Sequence, residues 1–258
     1  MISRLRTIII ANVLITLFIG VSGRSPSRIV QGSYAEIGEF PYMVSLRWSD
    51  YGHMCGGSII GRRHILTAGH CVDEFTPEEL NVASGFINQN DRSAVVSKVE
   101  KIIMHPDFVR KGEGRRLQND VAVLILKEDL ELDGFLRDVV KLPVKPYVPE
   151  TRGIVTGWGY TKSLLDQDAD TDTSDDLFKL NLTIITHDEC RKFRLPPFEY
   201  QICATNSHGV VCKGDSGGPL VVENVQVGVL STSSCLIGST PAFMDVYYFK
   251  DFIEKSMI

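Results

Sequence analysis

The sequence predicts an all-β protein, a sandwich or barrel of short strands finished by one C-terminal helix. Three observations predict it. Short runs rich in Val, Ile and Leu recur along the body of the chain. Gly, Pro, Asn or Asp punctuates them, as turns between strands require. Helical spacing shows only at the end, where Val246, Phe249, Ile253 and Met257 fall on one face.

Taken in order, residues 1–23 come first and read as a signal peptide. Arg4 and Arg6 make a positive start, Thr7–Gly20 is apolar, and Val21 and Gly23 are small enough for a cleavage site. The apolar run is shorter than the ~20 residues that span a bilayer, so no stable membrane anchor is expected. Export implies a secreted, extracellular chain in an oxidising compartment, which favours disulfides. Strands are expected at Met43–Trp48, Ser58–Ile60, Val95–Ile103, Val121–Leu126, Gly153–Gly157, Leu177–Ile185, Pro219–Val222 and Val225–Ser231. Between them Asp166–Asp176 holds six aspartates and no base. It lacks the spaced Gly and terminal Glu of a calcium loop and reads as a solvated surface loop. Val246–Ile258 closes the chain as an amphipathic helix.

Composition narrows the functional classes. With 258 residues, 43% hydrophobic and 23% charged, the chain is neither disordered nor a multi-pass membrane protein. The net charge is −5, but residues 1–28 carry four arginines and no acid, so the remainder stands at −9. Such acidity argues against a nucleic-acid partner. The 6 cysteines are even in number and show no C-x-x-C spacing, which speaks for bridges over a zinc site.

Three strings carry chemistry: Leu66-Thr67-Ala68-Gly69-His70-Cys71, Asn119-Asp120-Val121-Ala122-Val123-Leu124 and Gly214-Asp215-Ser216-Gly217-Gly218-Pro219. A serine hydroxyl is a poor nucleophile until a base lies within hydrogen-bond reach. Imidazole titrates near neutrality and can take and return that proton. A carboxylate fixes its tautomer, and backbone N–H groups free of side chains can hold an oxyanion. In the order His, Asp, Ser, with these neighbours, the chain resembles the chymotrypsin/trypsin family of serine endopeptidases from Ile29 to its end.

The resemblance implies two packed antiparallel Greek-key β-barrels with a C-terminal α-helix. The protease domain would cover 29–258, with barrel 1 about 29–135, barrel 2 about 136–245 and the helix about 246–258. It implies Ser216 as nucleophile, His70 as base, Asp120 as its orienting carboxylate, and the N–H groups of Gly214 and Ser216 as the oxyanion hole. Arg28-Ile29-Val30-Gln31-Gly32 resembles an activation site, with 24–28 as propeptide. Cleavage after Arg28 would free the Ile29 amino group to pair with Asp215. The pairing Cys55–Cys71, Cys190–Cys203 and Cys212–Cys235 is likewise carried over. Protein or peptide substrates, an activating trypsin-like protease, protease inhibitors and a monomeric state follow from the family, with no cofactor and no metal. Gly85–Val95 offers only Asp91 as an acid for the calcium loop of some relatives.

Specificity is carried over residue by residue. Val210 would form the base of the first-subsite pocket, Ser233 and Ala242 its walls, and Ser231 would line the substrate strand. An apolar base cannot pair with Arg or Lys, so a small-to-medium apolar residue is expected before the bond cleaved. Autoactivation at Arg28 is then not expected. Thr232 stands where the family has Trp, which opens the neighbouring subsites, and Gly69 stands where it has Ala. Lys213 at the pocket rim reads as a solvated cation, with a preference for acidic residues nearby as the alternative. Asn181-Leu182-Thr183 is a glycosylation sequon in a predicted strand. Two other functions fit the same strings: a non-catalytic protease-like binding protein and a narrow regulatory protease.

Overall fold

The computed structural model describes residues 32–49, 51–112, 114–160 and 173–258. Arg28, Ile29, the leader and residues 166–172 of the acidic segment therefore lie outside the described residues. Within them, β-branched runs bury alternate or continuous faces and pair into two closed rings of strands.

A two-residue strand β1 (Ser33–Tyr34) precedes the first ring. The ring holds β2 (Met43–Trp48), β3 (His53–Gly61), β4 (His64–Thr67), β5 (Leu80–Ser84), β6 (Val95–Met104) and β7 (Ala122–Leu126). It closes in the order β2-β3-β4-β7-β6-β5, so β5 returns beside β2 in Greek-key fashion. The second ring holds β8 (Arg152–Gly157), β9 (Phe178–Ile185), β10 (Gln201–Thr205), β11 (Pro219–Val222), β12 (Val225–Thr232) and β13 (Ala242–Asp245). It repeats the topology: β9-β10-β13-β12-β11-β8 closes because β8 pairs with β9. The first two residues of β9 also hold β1.

Each ring is filled by its inward side chains. Ile59, Ile65, Leu66, Leu80 and Leu124 are fully enclosed in the first, and Phe178, Ile184, Leu220 and Phe243 in the second. The barrels meet through paired polar groups rather than apolar surface alone. The buried Ser58 hydroxyl of β3 donates to Gln226 Oε1 of β12 at 2.6 Å. Trp158, after β8, donates its indole N–H to the Ile87 carbonyl at 3.0 Å and stacks on Phe86 at 5.0 Å.

The helices differ from expectation in extent. A single-turn α1 (His187–Cys190), with a Thr186–Glu189 capping box, was not expected. The C-terminal helix α2 spans Lys250–Lys255, not the whole of Val246–Ile258. Residues 246–249 form a turn in which Asp245 accepts from the Tyr247 N–H at 2.9 Å. Val246, Phe249 and Ile253 are all buried, so the periodic pattern reported a buried face that turn and helix share. Phe249 and Phe252 pack edge-on against His105, which seats this end on the first barrel.

Candidate active site

The site lies where loops of the two barrels meet, and each loop has a local cause. After β4, one 3-10 turn over Gly69–Cys71 swings His70 out of the barrel. Gly69 now has a reason: a Cβ there would lie 2.9 Å from the Phe108 ring and 3.3 Å from Asp120 Oδ1. Just before β7, Asn119 takes a left-handed φ of +47°, tolerable for Asn, and its amide donates to the Asp107 carbonyl at 2.7 Å. This turn aims the fully buried Asp120 at His70.

Asp120 is saturated with donors. Its Oδ1 accepts from the His70 backbone N–H at 2.7 Å. Its Oδ2 accepts from His70 Nδ1 at 2.8 Å and from the Ser231 hydroxyl at 2.6 Å. A carboxylate only accepts, so Nδ1 carries the proton and Nε2 is left with its lone pair. Burial alone would depress the His70 imidazole. The hydrogen bond and charge of Asp120 outweigh it and raise the pKa above the ordinary histidine value.

Ser216 faces this imidazole from the second barrel. Both line one cavity of about 290 Å³ with Ser231 and Ser233 on its floor and Arg110, Lys111 and Lys213 around it. Among the described residues no hydrogen bond joins His70 Nε2 to Ser216 Oγ. The Ser216 carbonyl accepts from the Gly56 N–H of β3 at 2.8 Å, which pins the loop across the barrel junction. Gly217, at φ +78°, is required there: a Cβ would come within 2.3 Å of Thr67 Oγ1 and 2.5 Å of the Gly56 carbonyl.

The backbone between Cys212 and Gly218 presents three N–H groups without an acceptor among the described residues, and two of them, those of Gly214 and Ser216, are the expected oxyanion donors. Asp215 between them is wholly buried and turned the other way. Its Oδ1 accepts from the Gly159 N–H and its Oδ2 from the Cys212 N–H, each at 2.8 Å. Burial pushes this carboxyl up to about 6, against the downward pull of those two donors. Gly157 and Gly159 make room for it, since a Cβ on either would fall within 2.4 Å of the carboxylate.

One contributor, His53, escaped the sequence reading. Its Nε2 donates to the Gly214 carbonyl at 2.9 Å and its Nδ1 accepts from the Ser45 hydroxyl at 2.8 Å. Burial holds this imidazole down at about 4, so it is neutral at physiological pH. It fixes Gly214 from beneath. No spacing in the sequence distinguishes it from the other histidines.

The remaining expected residues divide. Ser231 and Ser233 line the cavity, whereas Val210 and Ala242 are fully enclosed and do not. Ser233 instead turns its hydroxyl onto the Val211 carbonyl at 2.6 Å. Asn181 lies exposed on β9. Bridges join Cys55 to Cys71, Cys190 to Cys203 and Cys212 to Cys235, and no described cysteine is free. Ligand atoms of Cys55, His70 and Cys71 fall within 4.8 Å of one another, but both sulfurs are in a disulfide and offer no thiolate to a metal. Asp91, in the segment compared with a calcium loop, accepts from Ser93. The end of the acidic segment is docked on the first barrel, with Asp176 accepting from the Asn88 amide at 2.6 Å.

Comparison with known proteins bears on the whole chain. Residues 29–253 match the family model described as Trypsin. The chain is 33% identical over 235 residues to "Chymotrypsin-2" of Vespa crabro, an overlap of 89% of this chain and 100% of that protein. It is 31% identical over 263 residues to "Trypsin eta" of Drosophila melanogaster, covering 96% and 97% of the two chains. It is 30% identical over 247 residues to "Trypsin zeta" of Drosophila erecta, covering 88% and 84%.

Proposed function

The chain belongs to the trypsin family and is a serine endopeptidase, a hydrolase of protein substrates, and from that premise we propose how its residues do the work. Ser216 attacks the peptide carbonyl, His70 takes its proton at Nε2 and returns it to the leaving amine, and Asp120 holds the imidazolium that forms. The N–H groups of Gly214 and Ser216 receive the oxyanion, and an acyl-enzyme forms and is hydrolysed. The chain Ser231–Asp120–His70, with Ser216 across the same cavity, is the single observation that carries this reading.

The precursor is a secreted zymogen with leader 1–23 and propeptide 24–28, and the working domain is 29–258. Cleavage after Arg28 supplies an Ile29 ammonium to Asp215. A buried carboxylate whose pKa stands at about 6 is costly to ionise, and a cation beside it offsets that cost. The ion pair holds the Gly214–Ser216 backbone in its receptive form. By the family resemblance Val210 marks the base of the first subsite and implies a small-to-medium apolar preference, although it is enclosed and does not line the cavity described above. The relatives' names divide between chymotrypsin and trypsin, so this preference rests on Val210 and not on them. Activation then falls to a separate trypsin-like protease. Protease inhibitors are further partners, the active form is a monomer, and Asn181, exposed on β9, carries a glycan.

The test is to follow peptide hydrolysis as purified precursor is cut after Arg28. Activity should appear in step with the new Ile29 terminus and be absent from Ser216→Ala. Full activity before cleavage, or hydrolysis by Ser216→Ala, overturns the reading.

A further inference from the structure

A second cavity of about 290 Å³ opens beside the first and shares Thr232 and Ser233 with it. Arg116 reaches it from the loop before Asp120, and Arg194 from the segment between α1 and β10. Arg194 donates to Thr232 Oγ1 at 3.1 Å and to the Thr240 carbonyl at 3.3 Å. Arg116 lies over the Phe198 ring at 4.2 Å. Among the described residues no carboxylate pairs with either guanidinium, although the chain carries excess acid overall.

The two cations also work against each other. Burial and the like charge of Arg116 both oppose the charge on Arg194. Two hydroxyls deepen the imbalance. Ser239 and Thr240 line this cavity, and their hydroxyl oxygens are buried and have no hydrogen-bond partner among the described residues. Thr240 is 7% exposed. Orphaned buried donors beside a pair of unmatched guanidiniums are costly unless an acceptor arrives. An anion would balance the two guanidiniums, and Arg presents a planar fork suited to a carboxylate.

We infer that this cavity is a specificity subsite for an acidic side chain of the substrate, Asp or Glu, two to four residues before the bond cleaved. The inference rests on the endopeptidase reading above and deepens it. By the family resemblance substrate lies along Ser231–Ser233, and Thr232, being small, leaves the way open from that strand to Arg194. The cations Lys111 and Lys213 around the neighbouring cavity favour the same charge on approach, whereas Arg110 there is paired with Asp73 and Glu74.

The experiment uses matched quenched peptides with one apolar residue at the cleaved position. Asp, Asn, Glu or Gln is placed two, three or four residues before the bond, or two after it. Chain cleaved after Arg28 should show kcat/KM about ten-fold or more higher for acid than for amide at one of the upstream positions, falling with added salt. Arg194→Gln and Arg116→Gln should each collapse that ratio toward one, and Thr240→Val should lower it. In parallel, fluorescent forms of the same peptides are bound to cleaved Ser216→Ala. Equal rates for acid and amide, a ratio that survives both arginine changes, or a preference confined to the far side of the bond overturns the inference. Failure of every peptide to be cleaved refutes the endopeptidase mechanism, while Arg194-dependent binding of the acidic peptide would still support the subsite. Equal binding of acidic and amide peptides would refute the subsite.

Discussion

Replacing Asp120 with Asn keeps the shape of the site and removes the charge on which His70 depends. The carboxylate accepts two hydrogen bonds from His70 and one from Ser231, and its Oδ2 lies 2.8 Å from the ring nitrogen that becomes cationic during reaction. An Asn at 120 can present N–H where the carboxylate accepts, which favours the wrong tautomer. In triads of this type the loss is about 10⁴-fold in kcat, or about 5.5 kcal/mol at 1.36 kcal/mol per ten-fold. A second readout separates this from simple misfolding. Burial depresses the imidazole, and the hydrogen bond and charge of Asp120, with a lesser contribution from Asp73, reverse the sign. Wild-type kcat/KM should therefore rise with pH through a value above 6.5, the ordinary imidazole pKa. In Asp120→Asn that acidic limb should move below it. The assay is kcat/KM from pH 5 to 9 on the cleaved chain, with urea midpoints to confirm folding. A loss under ten-fold, or an acidic limb that stays put, refutes the reasoning.

Three other outcomes follow from the same geometry. Pure precursor left alone should not convert at Arg28, while catalytic trypsin should convert it; conversion that scales with its own activity and disappears in Ser216→Ala contradicts the apolar first subsite. His53 should make stability pH-dependent: its folded pKa of about 4 lies below the unfolded 6.5, so its stabilisation is present above 6.5 and lost as pH falls through 4. That amounts to about 3 kcal/mol, and His53→Phe should flatten the urea-midpoint profile across this window, whereas an unchanged slope assigns the dependence elsewhere. Gly217→Ala should cost at least ~2 kcal/mol and most of the activity, because its Cβ collides with Thr67 and Gly56; near-wild-type stability would show that the junction yields more than its packing suggests.

Strands rich in Val, Ile and Leu were legible in the sequence. Met43–Trp48 and Pro219–Val222 appear with the expected bounds, and β8, β9 and β12 within a residue of them. The strands His64–Thr67, Leu80–Ser84, Gln201–Thr205 and Ala242–Asp245 were not read, because each is short and holds at most two of Val, Ile and Leu. Their identity comes from ring closure, which no local pattern announces. The C-terminal helix was overextended for a related reason: burial of Val246 and Phe249 has helical spacing although a turn holds them. At the site, the three strings pointed to His70, Asp120 and Ser216, and the structure sets Asp120 on His70 directly and Ser216 across one cavity. His53 and the Arg116–Arg194 cavity were illegible, since they depend on contacts between segments far apart in the chain. The acidity looked different from inside: the described residues around the cleft bear cations, although the chain as a whole is acidic.

Covalent capture tests the central claim most directly. The chain cleaved after Arg28 is exposed to an organophosphate, and adducts are located by peptide mass spectrometry. One adduct per chain is expected on Ser216, with labelling strongly reduced in the uncleaved precursor and in His70→Ala. Cleaved chain that stays unlabelled, or that is labelled elsewhere, would contradict the assignment of Ser216 as the nucleophile and favour a protease-like protein that binds without catalysis.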